Sequence, residues 1–283
     1  MKILYSHLNI NDFSFSEELN KSQYSFEKIP EYAMTSVEQS AQFGHSYIVT
    51  MSDLKGLEPK VDEFYNLCKK NFPSYHKDPF WLLTLLRLYT LFLYVEKNNI
   101  EEFLHLEYDN LIYDNPKILR KLPSGIYFTA VGKELASAGI VYCRKQEHFT
   151  KFINKLLQLI EKGENFVSKF TNQHHLSEMV LIDLIKTYTP DIDYLPTLPD
   201  DNHFSTLQCL FDGASYGQYL GGTNIGHSPG WYGLHHYVGE ALHHKKFEVQ
   251  FNKTPFLIYK GKKIPIFNLH IHCKRLEEFE NGE

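Results

Sequence analysis

Two carboxylates and two imidazoles are the residues of this chain whose types and spacing could act together. The carboxylates lie in Phe103-Leu-His-Leu-Glu-Tyr-Asp-Asn-Leu-Ile112, where four mostly apolar residues read as the end of a buried strand and Glu107 and Asp109 follow at once. An acidic pair at the carboxyl end of a strand is a usual way to hold a hard divalent cation against a phosphate. The competing reading is a polar turn. The imidazoles lie in the tail, Lys263-Ile-Pro-Ile-Phe-Asn-Leu-His-Ile-His-Cys-Lys274. In an extended chain Asn268, His270, His272 and Lys274 share one face, while Phe267, Leu269 and Ile271 take the other, because side chains alternate. That polar face suits the wall of a metal–diphosphate site, or else is simply solvated.

Other positions need a partner or offer one. Arg87 sits in a nearly all-apolar helix, where an unpaired buried charge is costly, so it pairs with a structural carboxylate or reaches the acidic loop. Glu178 opens a helix, where a first-turn carboxylate is also good electrostatics. Asp212 stands beside Gly213, ahead of a Tyr- and Gly-rich segment. Gly221-Gly222 permits close approach of backbone to a ligand. The doublets His174-His175, His235-His236 and His243-His244 read as surface or loop residues, since adjacent side chains do not face the same way. Trp231, Tyr232 and Tyr237 are candidates for sugar stacking or for aromatic packing.

The elements that position these residues follow an α/β grammar. Residues 2–7 suggest a first strand. Thr35-Ser-Val-Glu38 has the form of a capping box, predicting a helix from Thr35 to Phe43 stopped by Gly44, with a strand over His45–Met51 after it. Val61–Asn71 is an amphipathic helix. Asp78-Pro79 supplies an N-cap and first-turn proline for the helix Phe80–Lys97, which feeds the strand Glu102–Leu106 and the acidic loop. Ile126–Ala130 reads as a strand, Ala136–Cys143 as a small-residue turn into another. Helices are expected over Glu147–Lys162 and Leu176–Tyr188, with a proline-marked loop across 190–199. Residues 211–244, rich in Gly, Tyr and His, suit a site-lining loop.

At 283 residues the chain can bury a large core, and no linker divides it, so it reads as one domain over 1–283. Net charge is −5 and the only arginines are Arg87, Arg120, Arg144 and Arg275, which argues against a nucleic-acid partner. Cys68, Cys143, Cys209 and Cys273 are scattered, without metal-binding or disulfide-framework spacing, and fit a reducing, cytoplasmic compartment. The N-terminus lacks the apolar content of a signal peptide. Phe80–Val95 falls short of the roughly 20 apolar residues that span a bilayer and carries Arg87 in its middle, so a buried core helix is expected and no transmembrane segment. Oligomeric state is not legible.

The Glu107-Tyr108-Asp109 triplet resembles a variant of the Asp-X-Asp motif of glycosyltransferases with the GT-A fold, and the Asn-Leu-His-Ile-His-Cys-Lys tail resembles the C-terminal histidine and lysine of that family. As an order of features the resemblance runs from Thr35 to Lys274. It implies an α/β fold, a Rossmann-type mixed sheet flanked by helices, with a nucleotide-binding half over 1–115 and an acceptor-binding half with the C-terminal metal and diphosphate strand over 116–283. It further implies a hexosyl- or pentosyltransferase of glycan biosynthesis. Such an enzyme moves sugar from a nucleotide-sugar donor, UDP- or GDP-linked, to a glycan acceptor with Mn²⁺ or Mg²⁺. On this resemblance Asp109 and one of His270 and His272 hold the metal, and Lys274 holds the diphosphate. Glu107 contacts ribose or a metal-bound water, Thr35 and Ser36 contact the nucleotide, and Arg87 reaches the diphosphate. Glu178, or its rival Asp212, takes the acceptor proton if the reaction inverts; a retaining reaction needs no such base. A metal-dependent hydrolase of a nucleotide sugar or phosphoester, and a non-catalytic glycan- or nucleotide-binding protein, use the same residues.

Overall fold

The structure is a computed structural model that describes residues 1–8, 28–76, 79–223, 230 and 236–280. Asp78, Trp231, Tyr232 and His235, singled out above, lie outside these residues. Among the described residues a six-stranded mixed sheet forms the centre, in the order β2 (His45–Val49), β1 (Lys2–Ser6), β3 (Phe103–Leu106), β6 (Leu135–Cys143), β5 (Ile126–Gly132), β7 (Ile192–Leu195). β2, β1 and β3 are parallel, β5 and β7 are parallel, and β6 runs antiparallel to both its neighbours, β3 and β5. The sheet thus draws strands from both sides of residue 115.

Alternation along the strands divides the core in two. Leu4 and Phe103 face one layer, with Phe128, Val141 and the helices α2 (Glu58–Asn71), α3 (Pro79–Lys97), α4 (Gln146–Lys162) and α5 (Glu178–Thr187). Ile3, Tyr5, Leu104 and Leu106 face the other, with Phe211 and Phe267. Both faces of β3 are buried, which explains why three of its four residues are apolar, His105 being the exception. α3 is long and apolar enough to cross a membrane, yet 67% of its most apolar window is buried inside this fold, as expected for a core helix. All four cysteines are buried and unpaired.

Three local expectations are corrected. The first helix among the described residues, α1, runs Glu31–Ala41 and starts after Pro30 in an extended conformation, not at Thr35. The Thr35-Ser-Val-Glu38 pattern therefore caps nothing. Ser36 is buried in the helix interior, where its hydroxyl meets the Tyr5 hydroxyl and the Asn110 carbonyl. The small residues expected to turn before Cys143 are part of β6. Finally, the polar tail is not one strand: after a small separate sheet of β8 (Glu248–Asn252), β9 (Thr254–Tyr259) and β10 (Lys262–Pro265), β11 covers only Asn268–His270, and the chain then turns, with Lys274 in the left-handed region at φ 62°.

β11 pairs antiparallel with β4 (Asn110–Ile112), which continues the chain straight after the acidic loop. A buried amide network locks this pair. Asn268 Nδ2 donates to Asn110 Oδ1 at 2.8 Å and to the Asp212 carbonyl at 3.0 Å, while Asn268 Oδ1 accepts from the Asp212 N–H at 3.0 Å. Asn110 Nδ2 in turn donates to the Gly139 carbonyl of β6 at 3.0 Å. Replacing Asn268 with Leu strips partners from several fully buried groups. Asn268→Leu is expected to lower unfolding stability by on the order of 3 kcal/mol, at about 1–3 kcal/mol for each orphaned group. Urea unfolding of the two proteins checks this, and a loss below about 1 kcal/mol would mean the network does not hold the pair.

Candidate active site

The carboxyl ends of parallel neighbours β1 and β3 open together into a cleft of about 390 Å³. Ser6, His7 and Leu8 leave β1 along one wall, Glu107, Tyr108 and Asp109 leave β3 along another, and α3 contributes Trp81, Thr84 and Arg87. This is where an open α/β sheet binds ligands, because strand ends release the chain into loops around a shared crevice.

The tail completes the cleft from far away in sequence. Pairing of β11 with β4, continued by the Ile271 N–H donating to the Asp109 carbonyl at 2.6 Å, sets His270 over the acidic loop. His270 Nδ1 lies 2.8 Å from the Gly213 carbonyl, so Nδ1 carries a proton and donates it. Nε2 is thereby directed at Asp109 Oδ1, 3.1 Å away, and Glu107 Oε2, 3.3 Å away. Gly139 makes room for this ring: a Cβ there would lie 2.8 Å from His270 Cε1. Lys274 closes an ion pair on Asp109 Oδ2, and Arg87 closes one on Glu107 Oε1.

The electrostatics follow from these pairs. Burial alone would raise both carboxyls; Arg87 and His270 hold Glu107 far below its ordinary range instead, and His270 and Lys274 do the same for Asp109. Burial alone would depress His270, yet the two carboxylates hold it well above the usual imidazole value. His272 goes the other way, down to about 3, through burial and the charge on His270. Two carboxylates thus face Arg87, Lys274 and a protonated His270, with His272 neutral beside them.

These residues fit a divalent cation. Asp109, His270 and His272 each offer a ligand atom, all within 4.8 Å of one another. His272 Nε2 is buried and has no hydrogen-bond partner among the described residues. A carboxylate with two imidazoles is a transition-metal donor set, closer to Mn²⁺ than to Mg²⁺, which prefers oxygen and retains water. A cation here would take the place of the proton on His270.

Glu178 lies on the same cleft at the head of α5, buried, with Thr84 donating to its Oε2 at 2.9 Å. Burial pushes its carboxyl from 4.5 up to about 7, the Thr84 hydrogen bond opposing and the Glu107 charge assisting.

Other expected residues do not reach the cleft. Thr35 and Ser36 are absent from its lining, as is the rest of 35–52; that segment supports the sheet, with Ser36 fastening Tyr5. Asp212 is fully buried below it. Its Oδ1 accepts from the N–H groups of Ser215 and Tyr216 at 2.8 and 2.9 Å, and Oδ2 from Gly217 and His270 at 2.7 and 2.9 Å, so no lone pair is left for an acceptor proton. Gly221 approaches Cys273 and Phe279 rather than open space. Tyr237 is 40% exposed and outside the cleft; His174, His175, His243 and His244 are exposed, as expected for doublets.

Several other residues line the cleft, with little or no signal in the sequence. His105, in β3 and two positions before Glu107 just beyond its end, is the most readable, since the extended period of two puts both on one side. Its Nδ1 donates to the Leu4 carbonyl at 3.0 Å, and burial lowers its pKa to about 4. His7, Tyr32 and Trp81 carry no local signal, because only the fold brings them together.

No family model matches the chain and no curated protein matches it. Solved structures similar to it include mouse xyloside xylosyltransferase 1 in its apo form, at 11% identity and a TM-score of 0.38, covering 74% of this chain and 93% of that one. Another is the galactosyltransferase LgtC in complex with donor and acceptor sugar analogues, at 10% identity and a TM-score of 0.32, covering 70% of this chain and 74% of that one.

Glu178 makes a prediction that does not depend on any ligand. A carboxyl raised from 4.5 to about 7 on folding adds stability that is fully present below pH 4.5 and is lost as pH rises to about 7. The loss is roughly 3 kcal/mol, at about 1.4 kcal/mol per pH unit. Glu178→Gln removes the titration, so its stability relative to the parent should climb across that window and level off above it. Urea unfolding at a series of pH values reads this directly; a constant difference would show that the carboxyl titrates normally.

Proposed function

We propose that this protein is a metal-dependent glycosyltransferase that moves a sugar from a nucleoside-diphosphate donor to a hydroxyl of a glycan acceptor. One observation carries the reading. Two remote stretches, the acidic bend after β3 and the tail from the end of β11 onward, bring Asp109, His270, His272 and Lys274 to one point at the carboxyl end of the sheet. The charge balance supports an anionic ligand. With a divalent ion on Asp109 and neutral imidazoles, Arg87 and Lys274 leave the site net positive, as a diphosphate requires.

In this reading Asp109, His270 and His272 hold Mn²⁺ in preference to Mg²⁺, and the ion supplies Lewis-acid stabilisation of the departing diphosphate. Lys274, displaced from Asp109, and Arg87 offer fixed positive charge to the same phosphates. Glu107 keeps Arg87 in place and borders the donor. Glu178 is the candidate base, because it opens to the cleft where Asp212 does not. Its carboxyl, poised near 7, accepts the hydroxyl proton as the acceptor oxygen bonds the sugar carbon and the bond to the diphosphate breaks. Trp81 lines the wall beside Glu178 and offers an apolar face to a sugar ring. A hydrolytic reading stays open on the same residue, since a base near 7 also activates water; product analysis with and without a sugar acceptor separates the two.

Asp109→Asn removes a charge from the ion site without changing volume. Transfer should fall at least 100-fold, roughly 3 kcal/mol of transition-state stabilisation. The thermal shift given by a nucleoside diphosphate with Mn²⁺ should disappear, while the melt without ligand stays cooperative. Unchanged transfer by this variant would end the proposal. Glu178→Gln should lower turnover on the order of 100-fold with the nucleotide-dependent thermal shift intact. In the parent enzyme turnover should rise with pH through about 7, as Glu178 loses its proton.

A further inference from the structure

The ring of His272 is held at one nitrogen. Gln218, buried on α6 (Tyr216–Gly221), places its carboxamide nitrogen 3.1 Å from His272 Nδ1. With the amide donating, Nδ1 accepts, and the neutral ring must carry its proton on Nε2. Two buried atoms are then left without a partner among the described residues: His272 Nε2 and Gln218 Oε1. Both belong to the same contact, and buried polar groups are rarely left so.

A half-turn of the carboxamide about its last torsion exchanges oxygen and nitrogen in nearly the same space. Oε1 then accepts from Nδ1–H, and Nε2 keeps a lone pair for a cation. His270 is already arranged in this way: its Nδ1 donates to the Gly213 carbonyl, and Nε2 faces Asp109. Imidazoles that bind metals characteristically donate their other N–H to an oxygen, which fixes tautomer and ring orientation.

We propose that Gln218 is a positioning residue that selects the Nδ1–H tautomer of His272, so that both imidazoles, and not one, join Asp109 on the cation. The inference rests on the cation reading above and deepens it. Nothing about Gln218 in the sequence points to this role; it acts only through the turn that follows β11.

The test is Mn²⁺ binding followed by electron paramagnetic resonance, on the parent protein, Asp109→Asn, Gln218→Leu and Gln218→Glu. Gln218→Leu should bind Mn²⁺ about 10- to 100-fold more weakly. Gln218→Glu should bind within a few fold of the parent, because a carboxylate there can only accept from Nδ1–H. Equal affinity of Gln218→Leu and the parent overturns the role of Gln218, as does a Gln218→Glu variant as weak as Gln218→Leu. A second measurement needs no variant: two-bond ¹⁵N–¹H correlations of the metal-free parent should place the His272 proton on Nδ1, and a proton on Nε2 overturns the inference. The control separates the two claims. If Asp109→Asn loses Mn²⁺ and Gln218→Leu does not, Gln218 alone is misassigned; if the parent binds no Mn²⁺, the cation site falls and this inference with it.

Discussion

The ion pair between Lys274 and Asp109 is the contact on which the cleft depends. A carboxylate with so little exposure must be compensated by positive charge, or burial would neutralise it. The compensation comes from 165 residues away in the chain, because β4 leaves the acidic bend and takes β11 as its partner. Everything that holds those two short strands together therefore also holds the site. The amides of Asn110 and Asn268, the Asp212 carboxylate that gathers four N–H groups, and the space left by Gly139 and Gly217 all act on that seam. A Cβ on Gly217 would lie 2.2 Å from the His270 carbonyl, so the approach of α6 to β11 requires glycine there.

Asp212 and Glu178 show how environment divides two buried carboxylates, one to support and the other to the role proposed for it in the cleft. Asp212 is surrounded by backbone donors and serves as the knot between α6 and β11. Glu178 has one hydroxyl donor and an opening to the cleft, so burial raises its pKa with little to oppose it. Burial raises the Asp212 carboxyl as well, but its oxygens are engaged by four N–H groups away from the cleft, while Glu178 can exchange a proton with what the cleft holds. The same logic separates the imidazoles: His270 lies against two carboxylates and is charged, and His272 lies against His270 and is neutral.

The cationic side of the cleft is arranged in layers. Arg87 reaches Glu107 from inside the sheet's helical layer, and Lys274 reaches Asp109 from the tail, so the acid pair is gripped from opposite elements. Such a site carries about one net positive charge with His270 protonated, and a divalent ion in place of that proton would add one more. Under the proposed function, binding of cation and anionic ligand would then be mutually reinforcing, as a substrate that brings its own phosphates requires.

Much of this was legible in the sequence. Strand-sized apolar runs, the helix Pro79–Lys97 with its proline start, and the amphipathic period of α4 marked an α/β sheet because burial imposes those periodicities locally. The types and spacing of Glu107 and Asp109, and of His270, His272 and Lys274, marked two chemically loaded segments for the same reason. What the sequence misread were boundaries set by tertiary contact. Thr35 and Ser36 have capping chemistry, but Pro30 starts the helix and Ser36 is consumed by Tyr5. The tail alternates like a strand, but its ladder ends at His270, opposite Asn110, where β4 begins. That the two segments meet, that Asp212 turns inward while Glu178 faces the cleft, and that Gln218 stands behind His272 were decided only by tertiary structure, since none of these contacts joins neighbours in the chain.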